Sequence, residues 1–252
     1  MEEQHGSSHL ESAGVSTKAI HAGQDPDKQF GGVTVPIYLS TTFSQPAPGN
    51  PIKYDYIRFG NPTQTALIEQ VAAIEGAKHA EIFNGRFACF QAIMHLFSYE
   101  GHFIFNETLD PDLLKYVKEI SEATHKMNYD LVELNNPESL KMSIQDNTKL
   151  VYFDNPTNPF LKLHDLDSIS QICKEKGVLT VLDASMALSS LQQTPFKYGI
   201  DLMVNALENF GSGHNDTQSA AVLSNNEEIM KKLSYYKLCM GNCSGPVDCY
   251  LT

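Results

Sequence analysis

Arginine occurs only twice in this 252-residue chain, as Arg58 and Arg86, and a planar guanidinium suits paired contact with carboxylate or phosphate oxygens. Arg86 follows Asn84-Gly85, where a helix is expected to begin, and the free N–H groups of a helix start favour an anion. Asp183 closes an apolar run; a carboxylate there either caps the next turn or serves a ligand. Glu208 and His214 are groups that a pocket could tune for proton transfer. Cys239, Cys243 and Cys249 could be drawn as metal ligands, but no fourth Cys or His lies close in sequence, so idle thiols are expected and no metal is assigned. His21, His79, His95, His102, His125 and His164 are spread over different elements and receive no role, and His5 and His9 lie in a polar tail.

The elements that position these groups alternate. The first dozen residues are polar and Gly/Ser-containing and are expected to be disordered. Residues 33–53 are rich in Pro, Ser and Thr without helical period, which predicts an extended arm. Asn61-Pro62-Thr63-Gln64 predicts a helix start: Asn61 caps, Pro62 takes the first position and Gln64 reaches back. Leu67, Val71 and Ile74 then share a face until Gly76. A second helix begins after Gly85 and buries Phe90, Met94 and Phe97. A third opens at Asp110-Pro111, with Leu113, Leu114, Val117 and Ile120 inward, and a fourth spans 166–176, burying Ile169, Ile172 and Cys173 and stopping at Gly177. Strand-like runs stand at 102–106, 131–134, 150–154, 178–183, 202–206 and 220–223. Strands alternating with amphipathic helices predict a mostly parallel sheet covered on both faces, with any ligand at the carboxyl ends of the strands.

Eighteen basic against thirty acidic residues give a formal net charge of −12, which opposes binding to nucleic acid or anionic membranes. The N-terminus lacks the basic start and apolar run of a signal peptide, and no run is long enough to span a bilayer. Five cysteines without a secretion signal suit a reducing compartment. A cytoplasmic protein is expected.

Four segments, in order, carry a resemblance: Tyr56-Ile-Arg58-Phe-Gly60-Asn61-Pro62-Thr63, Asp154-Asn-Pro156-Thr157-Asn158-Pro159, Val181-Leu-Asp183-Ala-Ser185 and Gly211-Ser-Gly213-His214-Asn-Asp216. From about Ser16 to Gly245-Pro-Val-Asp248-Cys-Tyr250 the chain resembles the trans-sulfuration family of cystathionine γ-lyase, cystathionine γ-synthase and methionine γ-lyase. The resemblance implies an α/β, three-layer, fold-type-I transferase-like large domain with a mostly parallel sheet and pyridoxal phosphate as the family's cofactor. The implied organisation is a tail over 1–15, an extended arm over 16–55 and the large domain over 56–252. The family's smaller C-terminal domain, which holds the substrate carboxylate, is expected to be absent.

The resemblance also assigns positions. Asp183 takes the place of the acid beneath the pyridine nitrogen, and Ser185 that of a neighbouring Thr. Tyr56 and Arg58 match the pair that grips a neighbouring subunit's phosphate. Gly85 and Arg86 stand at one phosphate element, Asn205 and Leu207 at the other, and Asn158 among the cofactor-binding positions. Leu109-Asp110-Pro111 replaces the ring-stacking Tyr and its Gly-Gly. Glu208 replaces the Schiff-base lysine, and a carboxylate forms no imine, so covalent binding of the cofactor is not expected. Lys197, Lys231 and Lys232 are not placed to substitute. Two arrangements of Arg86 follow. In the favoured one it pairs with Glu208 and fills the vacated pocket, because a charge placed there needs a partner. In the other, Arg86 and Arg58 keep a site for a phosphate-bearing ligand.

The implied function is a catalytically inactive homologue that acts by forming homo-oligomers, or hetero-oligomers with an intact family member. The alternative is noncovalent binding of pyridoxal phosphate or a phosphometabolite, with altered chemistry through Glu208 or His214. A conventional cystathionine γ-lyase is disfavoured by the missing amine.

Overall fold

The computed structural model describes residues 10, 12–186 and 195–252. Seven strands form one sheet in the order β1-β7-β6-β5-β4-β2-β3. They are β1 His79–Phe83, β2 His102–Asn106, β3 Asn128–Val132, β4 Thr148–Asp154, β5 Leu179–Asp183, β6 Leu202–Ala206 and β7 Ala220–Ser224. Strand β7 runs antiparallel to both its neighbours, and the other pairings are parallel. The expected α/β sheet is therefore present, and six strands direct their carboxyl ends to one edge. Strand β1 is not anticipated by the hydrophobic pattern, because Glu81 interrupts it; the Lys237 ammonium, 2.6 Å from Glu81 Oε1, makes that carboxylate tolerable in the interior.

Around the sheet lie α1 Val15–His21, α2 Pro62–Glu75, α3 Arg86–His95, α4 Pro111–Tyr116, α5 Ala123–His125, α6 Pro137–Ser143, α7 Leu166–Lys176, α8 Leu207–Phe210, α9 Glu227–Met240 and α10 Pro246–Leu251. Side chains alternate across the strands as the pleat requires. Phe103, Phe105, Tyr152, Val204 and Val222 pack with Phe90 of α3, Leu113 of α4 and Leu233 of α9. Ile104, Val151, Phe153 and Leu182 pack against Leu140 of α6 and Ile169 and Cys173 of α7 on the opposite face, where Met203 and Ala221 meet Leu67 and Val71 of α2. Three layers result, and each fully buried Phe or Leu contributes about 1.5–3 kcal/mol.

Helix boundaries follow local chemistry. The Asn61 side chain accepts from Thr63 N–H, Pro62 opens α2, and Gly76 closes it in the left-handed region. Gln64 does not reach back. Its amide instead donates to Ser244 O at 2.7 Å, tying α2 to the segment before α10. Helix α7 has the expected span, capped by Asp165 and ended by Gly177.

Two expectations need correction. The arm is not extended throughout, since α1 opens it and lies against α2, with the Gln70 amide donating to Ala19 O at 2.6 Å. Past Tyr116 the helix becomes a π-helix, Val117–Glu122. That wider turn advances the inward position by one residue, so Ser121 is buried and Ile120 is 43% exposed. Beyond α1 the arm is held to α2: Thr63 Oγ1 accepts from Tyr38 N–H and donates to Pro36 O, and the Asn61 amide donates to Tyr38 O. No helix among the described residues is long and apolar enough to cross a membrane.

Candidate functional site

The carboxyl edge of the sheet gathers polar residues. Asp154 and Asp183 end adjacent strands in register, and Asn106 at the end of β2 donates to Asp154 Oδ1 at 2.6 Å. Both carboxylates are almost fully buried, at 3% and 1% exposure, so each requires compensation. Burial pushes Asp154 up to about 6, against the hydrogen bonds from Asn158 N–H and Asn106.

Arg86 enters from the first position of α3. Gly85 precedes it at φ +135°, where a side chain is disfavoured and a Cβ would lie 3.2 Å from the Gln218 amide. The guanidinium lies 2.8 Å from Asp110 Oδ1 and 3.7 Å from Asp183 Oδ2. Tyr152 donates to that same Asp183 oxygen at 2.9 Å, while Asp183 Oδ1 accepts from Ser185 N–H and so caps the turn. Asp110 is fixed in turn by the Asn158 amide at 2.7 Å and, as the cap of α4, by Asp112 and Leu113 N–H. Burial alone would raise Asp110, but the Arg86 charge and hydrogen bond hold it below its ordinary value. For Arg86, burial opposes the charge, yet Asp183, Tyr152 and Asp110 together raise its pKa.

Glu208 projects from the first turn of α8 without joining this network. Its Oε2 is buried with no hydrogen-bond partner. Burial, assisted by Asp183, raises its pKa against the attraction of Arg86 and its own N–H. The Arg86–Glu208 ion pair is thus not formed; the guanidinium goes to the more deeply buried carboxylates, whose desolvation is costlier.

A cleft of about 400 Å³ is lined by residues 84–88, Asp110, Asn158, Ser185, Glu208 and Gln218, among others. Of the positions assigned by resemblance, Gly85, Arg86, Asn158 and Ser185 meet there with Glu208, and Asp183 lies behind Arg86. Asn205 does not: it is buried, with its amide on Glu75 Oε1 at 3.0 Å. Nor do Tyr56 and Arg58, which lie outside the cleft with the Arg58 guanidinium 5.0 Å from the Tyr56 ring centre. The two arginines therefore do not form one anion site within a single chain. Leu109 belongs to the core beside Phe90 and Phe105, and so lids nothing. All five cysteines are free, and Cys89, Cys173 and Cys249 are buried.

Asp110 and Tyr152 are the members of the network that sequence reasoning missed. Asp110 reads as a helix cap, a role it keeps while its carboxylate also meets Arg86. The signal for Tyr152 was a phenol within an apolar strand, since a buried hydroxyl needs a partner.

The site fits poorly with the pyridoxal phosphate implied by the resemblance. No amine stands at Glu208, the acid expected beneath the ring already faces Arg86, the ring-stacking position is core, and Asn205 turns to Glu75. Among the described residues, the N–H groups at the start of α3 and the Ser185 hydroxyl remain of the anion-binding features that the resemblance implies. That hydroxyl already accepts from Ala206 N–H.

Comparisons with known proteins agree with the fold and with the family resemblance. The family model described as Cys/Met metabolism PLP-dependent enzyme matches residues 16–252. A probable cystathionine gamma-synthase of Herpetosiphon aurantiacus is 33% identical over 94% of this chain and 74% of its own length. A cystathionine beta-lyase of Lactococcus lactis is 35% identical over 94% of this chain and 62% of its own. The crystal structure of metB from Corynebacterium glutamicum superposes with a TM-score of 0.91 at 31% identity, covering 96% of this chain and 63% of that one. Cystathionine gamma-lyase from Lactobacillus plantarum, solved with L-serine, gives 0.90 at 26% identity, with 95% and 62% covered. The chain therefore spans between about three fifths and three quarters of the relatives it matches, and it belongs to the Cys/Met metabolism family of pyridoxal-phosphate-dependent enzymes.

Proposed function

We propose that this chain is a non-catalytic member of the trans-sulfuration family that acts in the cytoplasm by associating with itself or with an intact relative. The observation that carries this is Glu208, a carboxyl held above its ordinary pKa by burial where the family's chemistry requires an amine. Support for association comes from the arm. Phe30, Leu39 and Ile52 of the arm are 83%, 76% and 81% exposed, and Phe59 just beyond it is 64% exposed, apolar surface that an interface would remove from water. Arg58 is also exposed, free to reach a neighbouring chain. Co-expression with a full-length cystathionine gamma-lyase, followed by native mass spectrometry, tests the proposal. A mixed oligomer whose yield drops on Arg58→Ala supports it; two separate populations under native conditions contradict it.

A second reading rests on the cleft, where residues 85–88 bring the first turn of α3 to the surface. A phosphate group could be held there noncovalently, with Glu208 as acid or base. A rise in melting temperature with phosphorylated metabolites supports this alternative, and no shift with any of them removes it.

A further inference from the structure

We infer that Arg86 is a built-in occupant of the cleft's inner wall, a guanidinium that takes the place of any protonated ligand nitrogen at Asp183. Asp183 is 1% exposed and engaged at both oxygens. Oδ1 is taken by Ser185 N–H, and Oδ2 is taken by the Tyr152 hydroxyl and faced by Arg86. A ligand nitrogen can reach this carboxylate only by displacing the guanidinium. Displacement is opposed from the other end, because Asp110 grips Arg86 at 2.8 Å and is itself held by the Asn158 amide and two α4 N–H groups. The base of the arginine is fixed as well, since Gly85 sets the start of α3 in a conformation that other residues rarely adopt.

The consequence goes beyond the missing amine. Replacing Glu208 by lysine supplies a group for covalent attachment, yet leaves the ring's position occupied. Glu208→Lys alone therefore remains a poor binder of pyridoxal phosphate, and removal of the internal cation improves it. Two routes to that removal are independent. Arg86→Leu deletes the guanidinium. Asp110→Asn retains an oxygen able to cap α4 but removes the charge that anchors Arg86.

The test compares the native chain, Glu208→Lys, Arg86→Leu/Glu208→Lys and Asp110→Asn/Glu208→Lys, each checked for folding by circular dichroism. Pyridoxal phosphate affinity is read from visible absorbance titration, and occupancy from the mass added after borohydride reduction. Both double variants are expected to bind at least tenfold more tightly than Glu208→Lys. Equal affinity in Glu208→Lys and a folded double variant overturns the inference, as does a failure of both doubles to bind. If one double does not fold, the other decides. Mixed-oligomer formation is scored separately, so failure of the association proposal and failure of this one are distinguishable.

Discussion

The Arg86 guanidinium lies 3.7 Å from Oδ2 of Asp183, a carboxylate only 1% exposed. Removing one partner of such a contact strands the other charge in the interior, which costs about 3–5 kcal/mol for a buried pair. Arg86→Met is expected to lower the unfolding free energy by about 3 kcal/mol on that scale. Adding Asp183→Asn should recover part of the loss. Urea denaturation of the two single variants and the double variant closes the cycle; additive losses would show that the two groups are not coupled.

Lys237 and Glu81 make a second buried pair, 2.6 Å apart, joining α9 to β1, with Ser234 also donating to Glu81 at 2.5 Å. Lys237→Met leaves the carboxylate with a hydroxyl but no cation, an expected loss of about 3–5 kcal/mol. Glu81→Leu/Lys237→Met should lie closer to the native chain than Lys237→Met does. Chemical denaturation orders the three.

His164 and Asp154 respond to acid in opposite senses. Burial, helped by Lys162, lowers His164 to about 4. Its neutral ring therefore contributes stability that is full above 6.5 and is lost as pH falls from 6.5 towards 4. Asp154, raised by burial to about 6, gives stability that is full below 3.8 and lost as pH rises through 6. Against His164→Gln, the native chain should therefore lose stability on going from pH 7 to 4.5. The expected difference is on the order of 2 kcal/mol after allowance for the residual solvent screening of the ring. Unfolding curves at each pH isolate it as a native-minus-variant difference, and a constant difference would refute it.

The arm's attachment passes through Thr63 Oγ1, which accepts from Tyr38 N–H at 3.0 Å and donates to Pro36 O at 3.0 Å. Thr63→Val removes both bonds while keeping the shape. Cleavage between residues 33 and 53 by a trace of protease should then accelerate severalfold, with global stability reduced by only about 1–2 kcal/mol. Unchanged cleavage would place the arm's anchorage elsewhere.

Local chemistry was readable where the deciding partners are neighbours in sequence. Asn61, Pro62 and Gly76 mark α2, and Asp165 and Gly177 mark α7, within a few residues of the bonds they make. Strands β2 and β6 stand where their apolar runs put them. Strand β1 was hidden because Glu81 finds its ammonium 156 residues away. The same limit governs the site. The motifs place Asp183, Arg86 and Glu208 at one edge of the sheet, but the partner of Arg86 depends on the relative depth of three carboxylates, which spacing does not encode. Asp110 won because the cap of α4 already fixed it beside the guanidinium. Ile120 failed as a core residue because a π-turn, which leaves no clear mark in composition, advanced the phase by one residue.

Treatment of the native chain with pyridoxal phosphate and borohydride, followed by intact and peptide mass spectrometry, shows whether any lysine of this chain holds the cofactor covalently. The expected result is no stoichiometric adduct and no stable visible band, with any label spread at trace level over exposed lysines. A single lysine carrying one equivalent of reduced cofactor would contradict it.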